Sequence, residues 1–485
     1  MKVLEGLEPE KVFYYFEEIC SIPHGSGNTA QISEYLKSFA IKKGLRYIQD
    51  EAGNVIIFKG GTADYESSPA VMLQGHMDMV CEKEHGAQID MKTEGLKLIY
   101  RDGIISADGT TLGGDDGIAV AFALAILDSD DIPHPPLEAV FTVDEEIGML
   151  GAAAMDCSPL SSRTMLNLDS EEEGYLLVSC AGGVSAACHI PLSYDTVTGR
   201  PYTVTVSGLS GGHSGTEIDK GRANANVILA RVLYRLKAVV PFCITDIHGG
   251  LKDNAIPREA EACIIIRDTE GVSAADSFIT EMDAILKNEY AATDAGICIS
   301  GGESASENVT VEALSSASTN AVITALFNLP SGITRMSFDI PGLVQSSLNP
   351  GVLMLKDDEA YISYCIRSSV ASEKQEMCDR IESMMQLIGG YVTYTGDYPA
   401  WEYRKDSPLR DLMIDIYRKQ YGSEPVVQAL HAGVECGLFS GKIPGLDCVS
   451  YGPNMQDIHT SAESMEVASV KRTWDYTLEI LKNLK

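Results

Sequence analysis

The runs at 70–74, 137–142 and 164–168 constrain this chain more than anything else in it. Each is short and apolar and runs straight into charged residues. That pattern fits a strand buried on both faces better than a helix. A fourth run at 54–58 reads the same way. Between them, 117–127 reads as a buried helix. Nearer the start, Val12, Phe13, Phe16, Ile19 and Cys20 share one helical face. Ile32, Tyr35, Leu36, Phe39 and Ala40 share another, and Gly44 ends that helix. Strands alternating with helices predict an α/β domain, its mixed sheet covered by helices.

The rhythm changes after about Ser185. Strand 202–206, helix 223–237, strands 242–248 and 260–266, helix 274–286 and strand 296–300 follow one another. This is the β-α-β-β-α-β order of a split βαβ unit. A weaker copy is predicted as strand 308–312, helix 316–327, strands 352–355 and 361–367, helix 373–388 and strand 391–395. From Trp401 the first pattern returns, with helix 409–421, strand 447–451 and a closing helix 464–484. The expected organisation is a catalytic domain built from 1–185 and 399–485, interrupted at 186–398 by an inserted α+β lid domain of two such units.

Charge narrows the partners. The 485 residues carry 69 acidic and 37 basic side chains, a net charge of −32. Phosphate backbones and anionic membrane surfaces would be repelled, so no nucleic-acid or membrane partner is expected. The cysteines form no CxxC pair, and residues 1–20 show no apolar leader. Reduced thiols and a cytoplasmic location are therefore expected.

The chemistry sits where strands end, the usual place for an open α/β active site. Gly75-His76-Met77-Asp78-Met79 follows the run at 70–74. Gly113-Gly114-Asp115-Asp116-Gly117 opens the buried helix. Asp144-Glu145-Glu146 follows 137–142, Asn167-Leu168-Asp169 ends 164–168, and Asp457-Ile458-His459 lies beyond 447–451. Alone, each has an ordinary explanation, such as a helix cap, a turn or a solvated loop charge. Together they would crowd carboxylates onto one sheet edge, which is unfavourable without cations. Imidazole and carboxylate are ligands for zinc, and a shared carboxylate can bridge two ions. Adjacent Glu145 and Glu146 suit a division in which one holds metal and the other moves a proton. Asp78, two residues past His76, can orient that imidazole. Glu171 to Glu173 are read as facing water.

With these motifs in hand, the chain resembles the aminoacyl-histidine dipeptidases, also called Xaa-His or cytosol non-specific dipeptidases. They belong to a zinc-peptidase group that includes carnosinases and aminoacylases. The likeness extends over Gly211-Gly212-His213-Ser214-Gly215, Asp253-Asn254-Ala255-Ile256-Pro257, His431-Ala432-Gly433-Val434-Glu435-Cys436-Gly437 and His459-Thr460-Ser461-Ala462-Glu463. The resemblance implies two Zn2+, with Co2+ or Mn2+ as substitutes. His76, Glu146, Asp169 and His459 would be ligands, and Asp115 would bridge. Glu145 would be the general base, Asp78 would steady His76, and His213 would stabilise the oxyanion. Asn254, Arg367 and Arg335 would hold polar groups of a dipeptide, and Glu435 would meet its ammonium. A monomer or homodimer is expected, with His213 acting in its own chain. Two departures stand out: Asp116, where the family more often has asparagine, and Thr460-Ser461-Ala462 in place of Ser-Pro-acidic.

Two other readings stay open. The same centre could cleave N-acyl amides, as aminoacylases do. A protein that only binds peptide or metal would also keep ligands, although it would not need Glu145.

Overall fold

The computed structural model describes residues 2–268 and 270–485. The chain divides into two units. The first comprises residues 1–180, 403–429 and 434–485, and the second 181–402 and 430–433.

In the first unit an eight-stranded sheet runs in the order Arg46–Gln49, Val55–Lys59, Leu137–Thr142, Val71–His76, Thr164–Asn167, Asp447–Ser450, Tyr175–Cys180 and Val426–Leu430. The three apolar runs that dominate the sequence lie side by side and parallel: Val71–His76 pairs with Leu137–Thr142 on one side and Thr164–Asn167 on the other. Asp447–Ser450 extends the parallel set from far along the chain. Strands 71–76 and 137–142 are buried at every position, as expected where both faces are covered. One cover is the helix Gly114–Leu127, all of whose residues are buried. Helices Glu10–Cys20 and Val467–Asn483 each bury a single apolar face. The predicted closing helix thus begins later, because Ser464–Glu466 forms a strand that pairs with Ile104–Ala107.

The second unit holds a ten-stranded sheet whose main path joins two half-sheets. The first half places Cys298–Glu303, Tyr194–Ser207, Ala260–Ile266 and Phe242–Gly249 side by side. The second places Val344–Lys356, Glu359–Ser368, Gly182–Pro191 and Tyr391–Tyr398. Both halves share one internal order, mirrored about the pair Phe242–Gly249 and Val344–Lys356, so the duplication is present in the topology. Its composition differs from the expectation. Val309–Leu314 does not open the second copy but pairs with the outer end of Tyr194–Ser207. The opening strand is Gly182–Pro191, which precedes the whole first copy and pairs with Glu359–Ser368. That pairing also moves the boundary from 186 to 181, since residues 182–185 bond to 365–368 of this sheet. The far boundary falls at 402 rather than 398.

Among the described residues no helix is long and apolar enough to cross a membrane.

Phe122 sits midway along Gly114–Leu127 with no exposed surface, its ring edge-on to Trp474 at 5.3 Å. Phe122→Ala should cost about 3–5 kcal/mol in urea unfolding of the first unit. A loss below about 1 kcal/mol would show that this helix is not packed as described.

Candidate metal centre

Parallel strands deliver their next residues to the same edge of a sheet. Four strand ends meet here: His76 closes Val71–His76, Asp144 to Glu146 follow Leu137–Thr142, Asp169 follows Thr164–Asn167, and the segment to His459 follows Asp447–Ser450. The helix Gly114–Leu127 adds Asp115 at its start, where the backbone is not yet helical (φ −83°, ψ 107°). Gly75 is needed for this approach, since a Cβ there would lie 2.6 Å from Asp116 Oδ2.

Asp115 is the centre of the cluster. Its Oδ1 lies 3.0 Å from His76 Nε2 and its Oδ2 lies 3.1 Å from His459 Nε2. His459 Nε2 is also 2.9 Å from Glu146 Oε1, and His76 Nε2 is 3.6 Å from Asp169 Oδ1. Donor atoms of His76, Glu145 and Glu146 fall within 4.8 Å of one another. So do those of Asp115, Glu146 and His459, and those of His76, Asp116 and Asp169. His459 holds a left-handed backbone (φ 61°), as does Asp144 (φ 54°). Such conformations are uncommon outside glycine and concentrate at functional sites.

Supporting contacts fix the donors. His76 Nδ1 donates to the Asp78 carbonyl oxygen at 3.0 Å, with the Asp78 carboxylate at 3.5 Å. The ring therefore turns Nε2 towards Asp115 and Asp169, where it donates its proton to them and would offer a lone pair to a cation in that proton's place. The Asp78 carboxylate accepts from Ser26 Oγ and from the amides of Glu145 and Glu146, which orders that loop. Beneath the site Glu435 Oε2 accepts from Gln74 Nε2 at 2.6 Å and Thr142 Oγ1 at 2.7 Å. Gln74 Oε1 in turn accepts from Asn167.

Titration follows from these contacts. Burial resists charging of His76, but Asp115, Asp169 and Asp78 outweigh it and hold the imidazole well above its usual value. Hydrogen bonds to Asp115 and Glu146 raise His459 to about 10. Asp115 resists its own burial through those two imidazoles and sits below the usual carboxylate range. Burial pushes Glu145 up, reinforced by Asp169, Glu435 and Glu146 and opposed by His76. Asp116 and Asp169 are raised by burial as well. Many acids thus share a poorly solvated space with two imidazoles. Such a donor set fits divalent cations: one carboxylate with each oxygen against a different imidazole, and further carboxylates on both sides.

The acidic residues after Asp169 depart from expectation. Glu172 is exposed, but Glu171 is half-buried and held up at about 7 by burial and by Asp115 and Asp169. Glu173 pairs through both oxygens with Arg472 at 2.6 Å. A strand-adjacent acidic run carries no sequence signal that separates these cases.

The remaining predicted residues lie elsewhere. In the second unit His213 and Ala255 pair in a two-stranded ribbon, which sets exposed Asn254 beside His213. His213 Nδ1 accepts from the amides of Gly215 and Thr216, leaving Nε2 to carry the proton. Burial and Arg367 lower its pKa. Arg367 is itself buried. It donates to Tyr398 Oη, its Nε has no hydrogen-bond partner, and among the described residues no carboxylate pairs with it. His431 is nearby, with Nε2 2.7 Å from Ser347 Oγ, and burial and Arg367 hold it down to about 3. Two expectations need correction. Arg335 is not free for substrate, because its guanidinium pairs with Glu373 at 2.6 Å. Glu435 opens the helix Glu435–Lys442 with no exposed surface, and it faces Gln74 and Thr142 inside the sheet instead of a ligand's ammonium.

Comparison with known proteins agrees with this geometry. Residues 72–483 match the model of peptidase family M20/M25/M40. The chain belongs to that family. It is 35% identical to the cytosol non-specific dipeptidase of Escherichia coli (strain K12), over the whole chain and 99% of the relative. The aminoacylhistidine dipeptidase of Vibrio alginolyticus has the same fold, with TM-score 0.92 and 32% identity over 99% of this chain and 98% of that one. A tripeptidase from Staphylococcus aureus shares the fold at TM-score 0.55 and 18% identity, over 99% of each chain. The resemblance read from the motifs and the α/β fold class are borne out, and the chain is a metallopeptidase-family hydrolase.

The titration has a consequence for stability. In metal-free protein the raised His459 contributes stability in full below about 6.5, lost as pH climbs through about 10. The depressed Asp115 contributes above about 3.8, lost in stronger acid. Chelator-treated protein should therefore melt at falling temperature from pH 7 to 10, and metal-loaded protein should not. Equal slopes would contradict the pairing.

Proposed function

We propose that this enzyme hydrolyses dipeptides with two divalent cations, of broad or Xaa-His specificity. Zinc suits the nitrogen and oxygen donors best, with cobalt or manganese as substitutes. The observation that carries this reading is Asp115, whose two oxygens face different imidazoles at 3.0 and 3.1 Å. His76, Glu146, Asp169 and His459 would be the other ligands. Cations bound there supply Lewis acidity to the scissile carbonyl and acidify an attacking water.

The chain's own groups do the rest. Glu145 accepts the proton of the attacking water and delivers it to the leaving amine. Its carboxylate lies among the donor atoms of the cluster, within reach of a water held there. Asp78 holds both His76 and the Glu145 loop in place. His213, neutral with its proton on Nε2, is a donor suited to the developing oxyanion. Arg367 offers a buried, unpaired guanidinium, which suits the substrate's free carboxylate, and Asn254 would add a polar contact. We further propose that the protein acts in the cytoplasm, as a monomer or as a homodimer in which His213 serves its own chain.

Glu145→Gln should lower kcat by about 10²–10⁴-fold or more while metal content, by elemental analysis, stays unchanged. Near-normal turnover would remove Glu145 from its role. His213→Ala should lower kcat by about 10²–10³-fold. Dipeptides should outcompete N-acetyl amino acids as substrates; the reverse order would favour the aminoacylase-like reading.

A further inference from the structure

Glu463 has no place in the reading above, yet it bonds the backbone that carries Asp115. Glu463 lies four residues after His459 and is 3% exposed. Its Oε2 accepts from the amides of Leu112 at 2.7 Å and Gly113 at 3.1 Å. Its Oε1 accepts from the amides of Gly114 at 2.8 Å and Asp115 at 3.4 Å. These four N–H groups precede or open the helix Gly114–Leu127, so none has a partner within a preceding turn. A single side chain thus satisfies all four, with the favourable sign of charge for a helix start.

The local backbone is built around this contact. Gly113 is left-handed (φ 66°), which turns successive amides towards one point, and a Cβ on Gly113 would lie 2.8 Å from Met79 Sδ. A Cβ on Gly114 would approach Glu463 Oε1 to 3.2 Å. On the other side, Glu463 belongs to a tight hairpin. Met455–Gln456 pairs with Ser464–Glu466, and the connecting loop carries His459. The Glu463 amide bonds Thr460 O, and Thr460 Oγ1 bonds Asp457 O, so the loop is braced from within. The two segments that meet at Asp115 Oδ2 and His459 Nε2 are therefore joined a second time, by a carboxylate that touches neither imidazole.

We infer that Glu463 is a positioning residue of the metal centre: through the four amides it sets the distance between Asp115 and His459, and so governs binding of the second cation. The inference rests on the two-cation reading of the site. The chemistry requires a carboxylate with this reach. Glutamine would turn an NH2 group towards amide N–H groups, leaving two donors unmatched. Aspartate keeps the charge but is one methylene short of spanning both amide pairs. Glu138 provides an internal comparison. It is a buried carboxylate of the same unit that accepts from the Ser161 and Ser162 amides at 2.8 and 3.1 Å and touches no proposed ligand.

The test is equilibrium dialysis of metal-stripped full-length protein against Zn2+ buffered by a chelator, followed by metal analysis. Wild-type protein should bind two ions. Glu463→Gln should hold one ion with its affinity changed by less than about 3-fold. The second should be weakened about 10–100-fold, the range for removing a partner that orients a ligand. Glu463→Asp should fall between. Glu138→Gln should bind both ions as wild type does, even if its melting temperature falls as far. At saturating Zn2+ the Glu463→Gln kcat should recover most of its loss, which global misfolding would not permit. Equal weakening of both ions, or the same weakening in Glu138→Gln, would reduce Glu463 to a general structural role and overturn the inference. So would unchanged binding of two ions by Glu463→Gln. Fewer than two ions on wild-type protein would instead overturn the two-cation reading.

Discussion

Mutual repulsion among carboxylates is the constraint on which the first unit depends. Asp78, Asp115, Asp116, Glu145, Glu146, Asp169 and Glu171 converge from buried to half-buried positions, against a buried imidazole and an exposed one. Charges of one sign in such surroundings raise one another's pKa or draw in cations. The first response is visible. Glu145 and Asp169 are pushed up, while Asp115 stays ionised because an imidazole lies against each of its oxygens. The imidazoles make with Asp115 the contacts that bound cations would mediate. The arrangement survives because rigid parts hold it: parallel strands fix His76, the Glu145 loop and Asp169, and a fully buried helix fixes Asp115.

The supporting groups share one physical style. Charged side chains that are not ligands are held by backbone amides or by buried neutral side chains. Asp78 takes the amides of Glu145 and Glu146. Glu435 takes Gln74 and Thr142, each on a strand that carries a site residue at its end. Glu463 takes the amides that precede Asp115. Glu463 is held by amides alone, Asp78 also has the His76 ring 3.5 Å away, and Glu435 keeps one buried oxygen without a partner. In the second unit the sign is reversed: Arg367 is buried with no carboxylate partner among the described residues, beside two imidazoles whose pKa values are lowered.

Much of this was legible in the sequence, for definite reasons. The strands 71–76, 137–142 and 164–167 could be read because burial on both faces makes them mostly apolar, and each motif ends or directly follows such a run. The duplication in the second unit was legible from the β-α-β-β-α-β order of its elements. Its true opening strand was not, because Gly182–Pro191 precedes the entire first copy and only pairing with Glu359–Ser368 reveals its membership. Side-chain fates were harder. Arg335 and Arg367 look alike in sequence, yet Glu373 pairs with one, and among the described residues no carboxylate pairs with the other. Glu435 was misjudged because a glycine-flanked glutamate resembles an exposed binding residue. The Gln74 and Thr142 side chains that bond it, and the Asn167 side chain that bonds Gln74, come from three separate strands. Such partnerships are set by tertiary packing, and local pattern does not encode them.

The most direct measurement of the central claim is a crystal structure of zinc-loaded protein with anomalous data at the zinc edge. The account requires two peaks about 3.5–4 Å apart on either side of the Asp115 carboxylate, one beside His76 and one beside His459. A single peak, or two peaks of which either makes no contact with Asp115, would contradict it.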